Sequence, residues 1–164
     1  MMSTLYFCFE LIATFSEAFI ILYAISCLFD FKFSGKKSLF YKIISLIVIG
    51  SLTTVFNCIE TSYRDILDVA IIGTYIIVCF LLYKGNIFFR IVIPLLIMII
   101  ILIINITADV FISRLYEVSP EYLLESGSSL RLLSLFVTKF LFFFTIQLLV
   151  RIVKKNDYDL QSDE

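Results

Sequence analysis

The chain has 164 residues, of which 61% are hydrophobic and only 16% charged, and its mean hydropathy is +1.04. A soluble domain is about half apolar and about a quarter charged, so this chain has too little polar surface for a soluble globule and is predicted to be an integral membrane protein. Thirteen basic and fourteen acidic residues give a net charge of −1. That balance excludes a generally basic nucleic-acid-binding protein.

Five stretches are long enough to cross the hydrocarbon of a bilayer, which takes about 20 apolar residues. In chain order they are residues 5–29, 39–59, 66–83, 87–112 and 130–153. Charged segments or a Lys84-Gly85-Asn86 turn separate the first four. The longest connection, 113–129, is predicted to hold a short surface helix over 121–126, and residues 154–164 form a cytoplasmic tail. The sequence thus predicts an all-α polytopic bundle of five transmembrane helices.

Two backbone features fall inside these spans. Pro94 removes a hydrogen bond from the fourth helix, so it is a candidate hinge, although membrane helices also carry proline for packing alone. Small residues that permit close helix approach occur around Gly50 in the second span and around Gly73 in the third.

The distribution of lysine and arginine predicts the orientation, because cytoplasmic flanks of membrane helices carry the excess. With the N-terminus outside, nine basic residues lie on inner flanks and three on outer flanks. The inner nine are Lys32, Lys36, Lys37, Lys42, Lys84, Arg90, Arg151, Lys154 and Lys155. The outer three are Arg64, Arg114 and Arg131, and Lys139 lies inside a span. The chain is therefore predicted to be a multi-pass protein of the cell membrane with its N-terminus outside and its C-terminus inside.

Ionisable residues inside the first and fifth spans are the most informative feature, because each costs about 2.5–3.5 kcal/mol at a helix centre without a partner. Glu10 and Glu17 share one face of the first span, and Arg131 and Lys139 lie roughly on one face of the fifth. Both spans run inward in this topology, and the charges match in depth. We therefore predict that the two helices are neighbours, with Glu17 paired to Lys139 and Glu10 to Arg131. Such pairs either rearrange when a ligand binds or only fix the packing.

Polar residues are concentrated in the outer half of the predicted bundle. Asn57, Asn105 and Asp109 lie there together with Glu10, Arg131 and Lys139, which indicates a polar cavity open to the outside. The ligand and relay candidates are Glu10, Glu17, Asn57, Asn105, Asp109, Arg131 and Lys139. Asp109 is also explained by its position near a span end.

Enzyme chemistry is not expected. The absence of histidine excludes Ser-His-Asp and Cys-His catalytic sets and the HExxH zinc site. An aspartyl dyad needs two aspartates at mid-depth, whereas Asp68 and Asp109 lie near span ends. The four cysteines lie far apart without a CxxC motif, so they are predicted to be packing residues. We expect no metal and no cofactor.

One stretch and one turn carry a family resemblance. The segment from Ser119-Pro120-Glu121-Tyr122-Leu123-Leu124-Glu125 through Leu130-Arg131-Leu132-Leu133 to Thr138-Lys139-Phe140-Leu141, with the Leu81-Leu82-Tyr83-Lys84-Gly85 turn, resembles the membrane-embedded sensor half of GHKL-type histidine kinases. These are receptors of the accessory-gene-regulator kind in Gram-positive bacteria, several of which sense secreted peptides in quorum sensing. This chain lacks the phosphoacceptor histidine and the nucleotide loop of the kinase half.

The resemblance implies a two-component-type signal-transduction module without kinase activity. Its expected partners are the lipid bilayer, an extracellular peptide, and a cytoplasmic kinase or a second copy of the chain; no nucleic acid is expected. The alternative is a small transporter or channel subunit in which Glu17 and Lys139 gate a polar route. Two observations disfavour that alternative. The inner half of the predicted bundle has few polar residues to line a route, and the N-terminal and C-terminal halves of the sequence show no inverted repeat.

Overall fold

The computed structural model of the protein describes residues 4–58, 64–119 and 129–155. These residues form five α-helices and no β-strand beyond one isolated bridge. The helices are α1 (Thr4–Leu28), α2 (Lys36–Cys58), α3 (Arg64–Leu82), α4 (Ile87–Leu115) and α5 (Ser129–Lys155). The predicted all-α fold is confirmed for this part of the chain. The short helix predicted over 121–126 and the tail from 156 onward lie outside the described residues.

Four helices, α1, α2, α4 and α5, are long and apolar enough to cross a membrane. This is the architecture of a multi-pass membrane protein. The third predicted span, 66–83, lies almost entirely within helix α3, whose described apolar segment is Val69–Leu82. Arg64, Asp65 and Asp68 occupy the first turns of that helix. Helix α4 continues past the predicted end of its span to Leu115.

The helices follow one another around a closed ring. Each packs against the next in the chain, α5 returns to α1, and α1 also contacts α4. The contacts show that neighbouring helices alternate in direction: α1 and α3 end at the same end of the bundle, where the N–H of Lys32 donates to the carbonyl of Leu82. Likewise Asp109, late in α4, adjoins Ser134, early in α5. Helices α1 and α5 therefore run parallel, as the matched charges predicted.

The end of the bundle where α1 and α3 end is tied together by its two connections, 29–35 and 83–86, and is called here the turn end. The backbone N–H of Lys32 donates to the carbonyl of Leu82, and the N–H of Lys84 donates to the carbonyl of Asp30, both at 2.8 Å. The Tyr83 and Ser26 hydroxyls are 2.7 Å apart. At its start, α4 is capped by the Asn86 side chain, which accepts from the Phe88 N–H. The opposite end, where α1 begins and α4 ends, is called the distal end.

The best-packed region lies toward the turn end and is centred on α1. Side chains along the second half of α1 are almost fully buried, including Ile21, Ala24 and Ile25. Ile97 of α4 and Phe142 of α5 are buried in the same hydrophobic core. Side chains on the outer faces of the helices, in contrast, are large, apolar and exposed, as expected for a surface that meets lipid.

Pro94 lies within α4, which continues through it as one helix. Its side chain is almost fully buried. Proline removes one backbone hydrogen bond from a helix, and its neighbours can make up for that loss. The hinge role of Pro94 stays a prediction.

Gly50 marks a close approach between α1 and α2, whereas Gly73 does not mark one on α3. A Cβ added at Gly50 would lie 2.8–2.9 Å from ring atoms of Phe15, but one at Gly73 would meet nothing within 4 Å. The close approach predicted from small residues is thus confirmed at Gly50 and wrong at Gly73, where the helix surface is open. We expect Gly50→Val to lower the free energy of unfolding in detergent by about 2 kcal/mol, because the Phe15 ring must move.

The matched control for this prediction is Gly73→Val, which is expected to change the unfolding free energy by less than about 0.5 kcal/mol. Both variants are compared by chemical unfolding followed by circular dichroism. Equal effects at the two positions would contradict the close contact of α1 with α2.

Candidate ligand and relay site

The distal halves of α1 and α5 are joined by an arginine–carboxylate pair. The Nε and Nη2 atoms of Arg131 both donate to Oε1 of Glu10, at 2.9 and 2.5 Å. The side chains remain 26% and 18% exposed, respectively. The predicted pairing of Glu10 with Arg131 is confirmed, and both side chains stay partly exposed in the distal half of the bundle.

A second ion pair joins the same helices two turns deeper. The ammonium group of Lys139 donates to a carboxylate oxygen of Glu17, and both side chains are only partly exposed. This confirms the predicted pairing of Glu17 with Lys139. Two acids on α1 and two bases on α5 therefore neutralise each other in pairs, which removes most of the cost of placing four charges in a membrane.

The surfaces between the two pairs are also polar. Thr14 lies on the stripe of α1 that carries Glu10 and Glu17, and Thr138 precedes Lys139 on α5. Both threonines are buried, at 8% and 4% exposure. The Thr138 hydroxyl donates to the carbonyl of Leu135 at 2.9 Å, so its hydrogen bond stays within α5. The distal α1–α5 contact is thus held by polar side chains over about two turns.

Helix α4 joins this cluster through a contact that the sequence did not reveal. The Ser134 hydroxyl donates to Oδ1 of Asp109 at 2.5 Å, and Ser134 is buried. Asp109 was a predicted site residue, but its partner was missed. The available signal was the spacing: Ser134 lies three residues after Arg131 and so on nearly the same face of α5. We call Glu10, Glu17, Asp109, Arg131, Ser134 and Lys139 the distal polar cluster.

Two other predicted site residues have different outcomes. Asn105 lies one turn before Asp109 on α4, is partly exposed, and has no hydrogen-bond partner among the described residues. Its carboxamide can therefore accept and donate to a ligand or water. Asn57 belongs to α2, but its side chain lies outside the part of the structure that is described.

Beneath the distal polar cluster the same helix contacts become apolar. Ile21 and Ile25 continue the stripe of Glu10 and Glu17 along α1, and Phe142 and Ile146 continue the face of Thr138 on α5. All four are at most 2% exposed. The α1–α5 interface is therefore divided, with paired charges in its distal half and dry packing toward the turn end.

In the described part of the chain, no group of three or more cysteine, aspartate and glutamate side chains has the arrangement needed to hold a metal ion. Cys8, Cys27 and Cys79 are free thiols.

No protein-family model, curated protein or solved structure matches the chain. The similarity to accessory-gene-regulator-type sensors consequently stays a prediction from the residues quoted above.

Proposed function

We propose that this chain is a receptor module of the cell membrane that binds an extracellular peptide-class ligand at the distal polar cluster and relays a helix movement to the cytoplasm. The observation that carries the proposal is the division of the α1–α5 interface. Its distal half consists of two partly exposed ion pairs. Its other half is apolar and tightly packed.

The proposed topology has five spans, with the N-terminus outside and the C-terminus inside. Helix α3 supports the fifth crossing, because it ends beside the end of α1, where the carbonyl of Leu82 accepts from the N–H of Lys32. Its 19 residues extend over about 28 Å, which is close to the thickness of the hydrocarbon. The turn end carries most of the basic residues, so it faces the cytoplasm in this topology.

The ligand is proposed to act by competing for the paired charges. A peptide brings its own amide, ammonium and carboxylate groups, which can replace one partner of the Glu10–Arg131 pair or bond to Asn105. For such binding to shift the protein, the ligand must favour one arrangement of α1 and α5; a difference of about 1.4 kcal/mol changes the ratio of states tenfold.

Helix α5 provides the proposed route to the cytoplasm. It is continuous from Ser129 to Lys155, so a displacement at Arg131 moves Arg151 and the turn end of the same helix. The receiving partner is proposed to be a cytoplasmic kinase subunit or a second copy of this chain. The apolar layer formed by Ile21, Ile25 and Phe142 supports a receptor over a transporter, because it fills the path that ions or solutes would need.

Water access to Asn105 tests the proposed ligand site. In a variant whose four native cysteines are replaced by alanine, Asn105→Cys should react with a membrane-impermeant cationic methanethiosulfonate added from outside. Ile106→Cys is the matched control, because Ile106 is the next residue on α4 and is exposed on its outer surface, where lipid prevents ionisation of a thiol. We expect labelling of the first variant to be at least about tenfold faster, since the thiolate is the reactive form.

Equal labelling of the two variants, or labelling of Asn105→Cys only from the cytoplasmic side, would contradict an outward-facing polar site. Proteoliposomes that hold the unmodified protein provide the functional control. We expect no ion current and no solute accumulation in them, and either activity would replace the receptor proposal with the transporter.

A further inference from the structure

A shallow groove lies on the surface of α5, in the half of the helix nearer the turn end. Its volume is about 400 Å³, and its lining is Phe143, Phe144, Gln147, Leu148 and Arg151. The buried residues of this half of α5, such as Phe142 and Ile146, belong to the core, so the groove is on the side that faces away from it. It is separate from the distal polar cluster.

The two polar groups in the groove have no partners within the described residues. Among residues 4–58, 64–119 and 129–155, the partly exposed Gln147 carboxamide has no hydrogen-bond partner and the exposed Arg151 guanidinium has no ion-pair partner. Polar groups on the lipid side of a membrane helix are costly unless something satisfies them. Gln147 and Arg151 lie one turn apart on the same side of α5, so one molecule can contact both.

The side chains of the groove follow one another along α5 in the order of the headgroup, the glycerol and the acyl chains of a phospholipid. Arg151 is nearest the turn end, Gln147 lies one turn deeper, and Phe143 and Phe144 lie a further turn toward the bilayer centre. Beyond them the rings of Phe136, Phe140 and Phe144 form a column along α5, with centroids 6.5 and 4.7 Å apart. The sequence of groups along the helix is therefore cationic, then hydrogen-bonding, then aromatic.

We propose that this groove is a binding site for one anionic phospholipid. Arg151 donates to the phosphate, as guanidinium groups do in other phosphate sites. Gln147 bonds to the glycerol or ester oxygens, and an acyl chain lies along the phenylalanine column. The site requires net negative charge on the headgroup, because none of the described residues that line the groove is acidic and basic pockets at membrane surfaces select anionic lipids.

A second copy of the chain fits this groove less well. Two-fold symmetry places the same residues of both copies opposite each other, so a contact centred on this groove would bring two Arg151 side chains together. Like charges at such an interface repel each other, whereas a phosphate group neutralises the charge of Arg151.

Native mass spectrometry of the purified full chain tests the site with two probes, dioleoyl phosphatidylglycerol and dioleoyl phosphatidylcholine. We expect phosphatidylglycerol to bind the unaltered protein about tenfold more tightly than phosphatidylcholine. Arg151→Gln should remove most of this preference, since a charge-assisted hydrogen bond corresponds to about a tenfold change in Kd. Gln147→Leu should weaken both lipids about threefold, because it contacts the part that they share.

Lys84→Gln is the matched control, because it removes one exposed positive charge at the turn end but outside the groove. It should leave both affinities within about twofold. Equal binding of the two lipids to the unaltered protein would overturn the proposal. A loss of preference in Lys84→Gln as large as that in Arg151→Gln would also overturn it. A lipid-free dimer that Gln147→Leu abolishes would assign the groove to a second copy instead. Circular dichroism of the variants confirms that they remain folded.

Discussion

Replacing Lys139 with glutamate is expected to lower the free energy of unfolding by about 3 kcal/mol in detergent micelles. Lys139 donates to Glu17 within the contact between α1 and α5, and both side chains are largely removed from solvent. In the variant, Glu17 loses its partner and faces another carboxylate. Removing one partner of a buried ion pair generally costs about 3–5 kcal/mol, because the remaining charge is left uncompensated. Unfolding in sodium dodecyl sulfate, followed by circular dichroism, measures the change.

Lys84→Glu is the control for this substitution. It makes the same change of charge at an exposed position of the turn end. We expect it to alter the unfolding free energy by less than about 0.5 kcal/mol. If both variants lost the same stability, the loss would come from net charge, and the Glu17–Lys139 contact would not be the cause.

Phe142→Ala is expected to lower the unfolding free energy by about 2 kcal/mol. Phe142 is 2% exposed and belongs to the apolar layer beneath the distal polar cluster. Lipid is as apolar as the core, so the cost comes from lost packing contacts and the cavity rather than from transfer to water.

The matched variant is Phe136→Ala on the same helix. Phe136 is 73% exposed, so its replacement should have little effect on stability in the same unfolding assay. A larger loss for Phe136→Ala than for Phe142→Ala would mean that the packed face of α5 is the opposite one.

The ion pairs could be predicted from the sequence because membrane insertion restricts the possibilities. A charge within a span needs a partner at the same depth, and depth follows from residue position at 1.5 Å per residue. Glu17 could therefore be matched with Lys139, and Glu10 with Arg131. The same reasoning predicted that α1 and α5 are parallel neighbours.

Contacts between uncharged or weakly constrained groups could not be predicted in this way. The spacing of Ser134 from Arg131 indicates only its side of α5 and not its bond to Asp109, because a serine hydroxyl is satisfied as easily by its own helix, as Ser45 is by the carbonyl of Tyr41. Gly50 and Gly73 looked alike in sequence, yet only Gly50 meets a neighbouring side chain. Which side of a helix faces protein depends on all the helices around it, and these helices are apolar on every side.

The division of the α1–α5 interface gives its two halves different mechanical roles in the proposed receptor. The apolar half keeps the helices together through dispersion contacts that no polar ligand replaces. The charged half can exchange one ionic partner for another at little cost, because an incoming group restores the lost hydrogen bonds. A ligand at the distal end would accordingly tilt or slide the helices about the packed half.

A double-mutant cycle on Glu17 and Lys139 tests the central claim most directly, namely that this ion pair joins α1 to α5. The unfolding free energies of Glu17→Lys, Lys139→Glu and the double reversal are measured in the same detergent. We predict that each single variant is destabilised, that the double reversal is less destabilised than either single variant, and that the coupling is therefore at least about 3 kcal/mol. A double reversal whose loss equals the sum of the two single losses would contradict it.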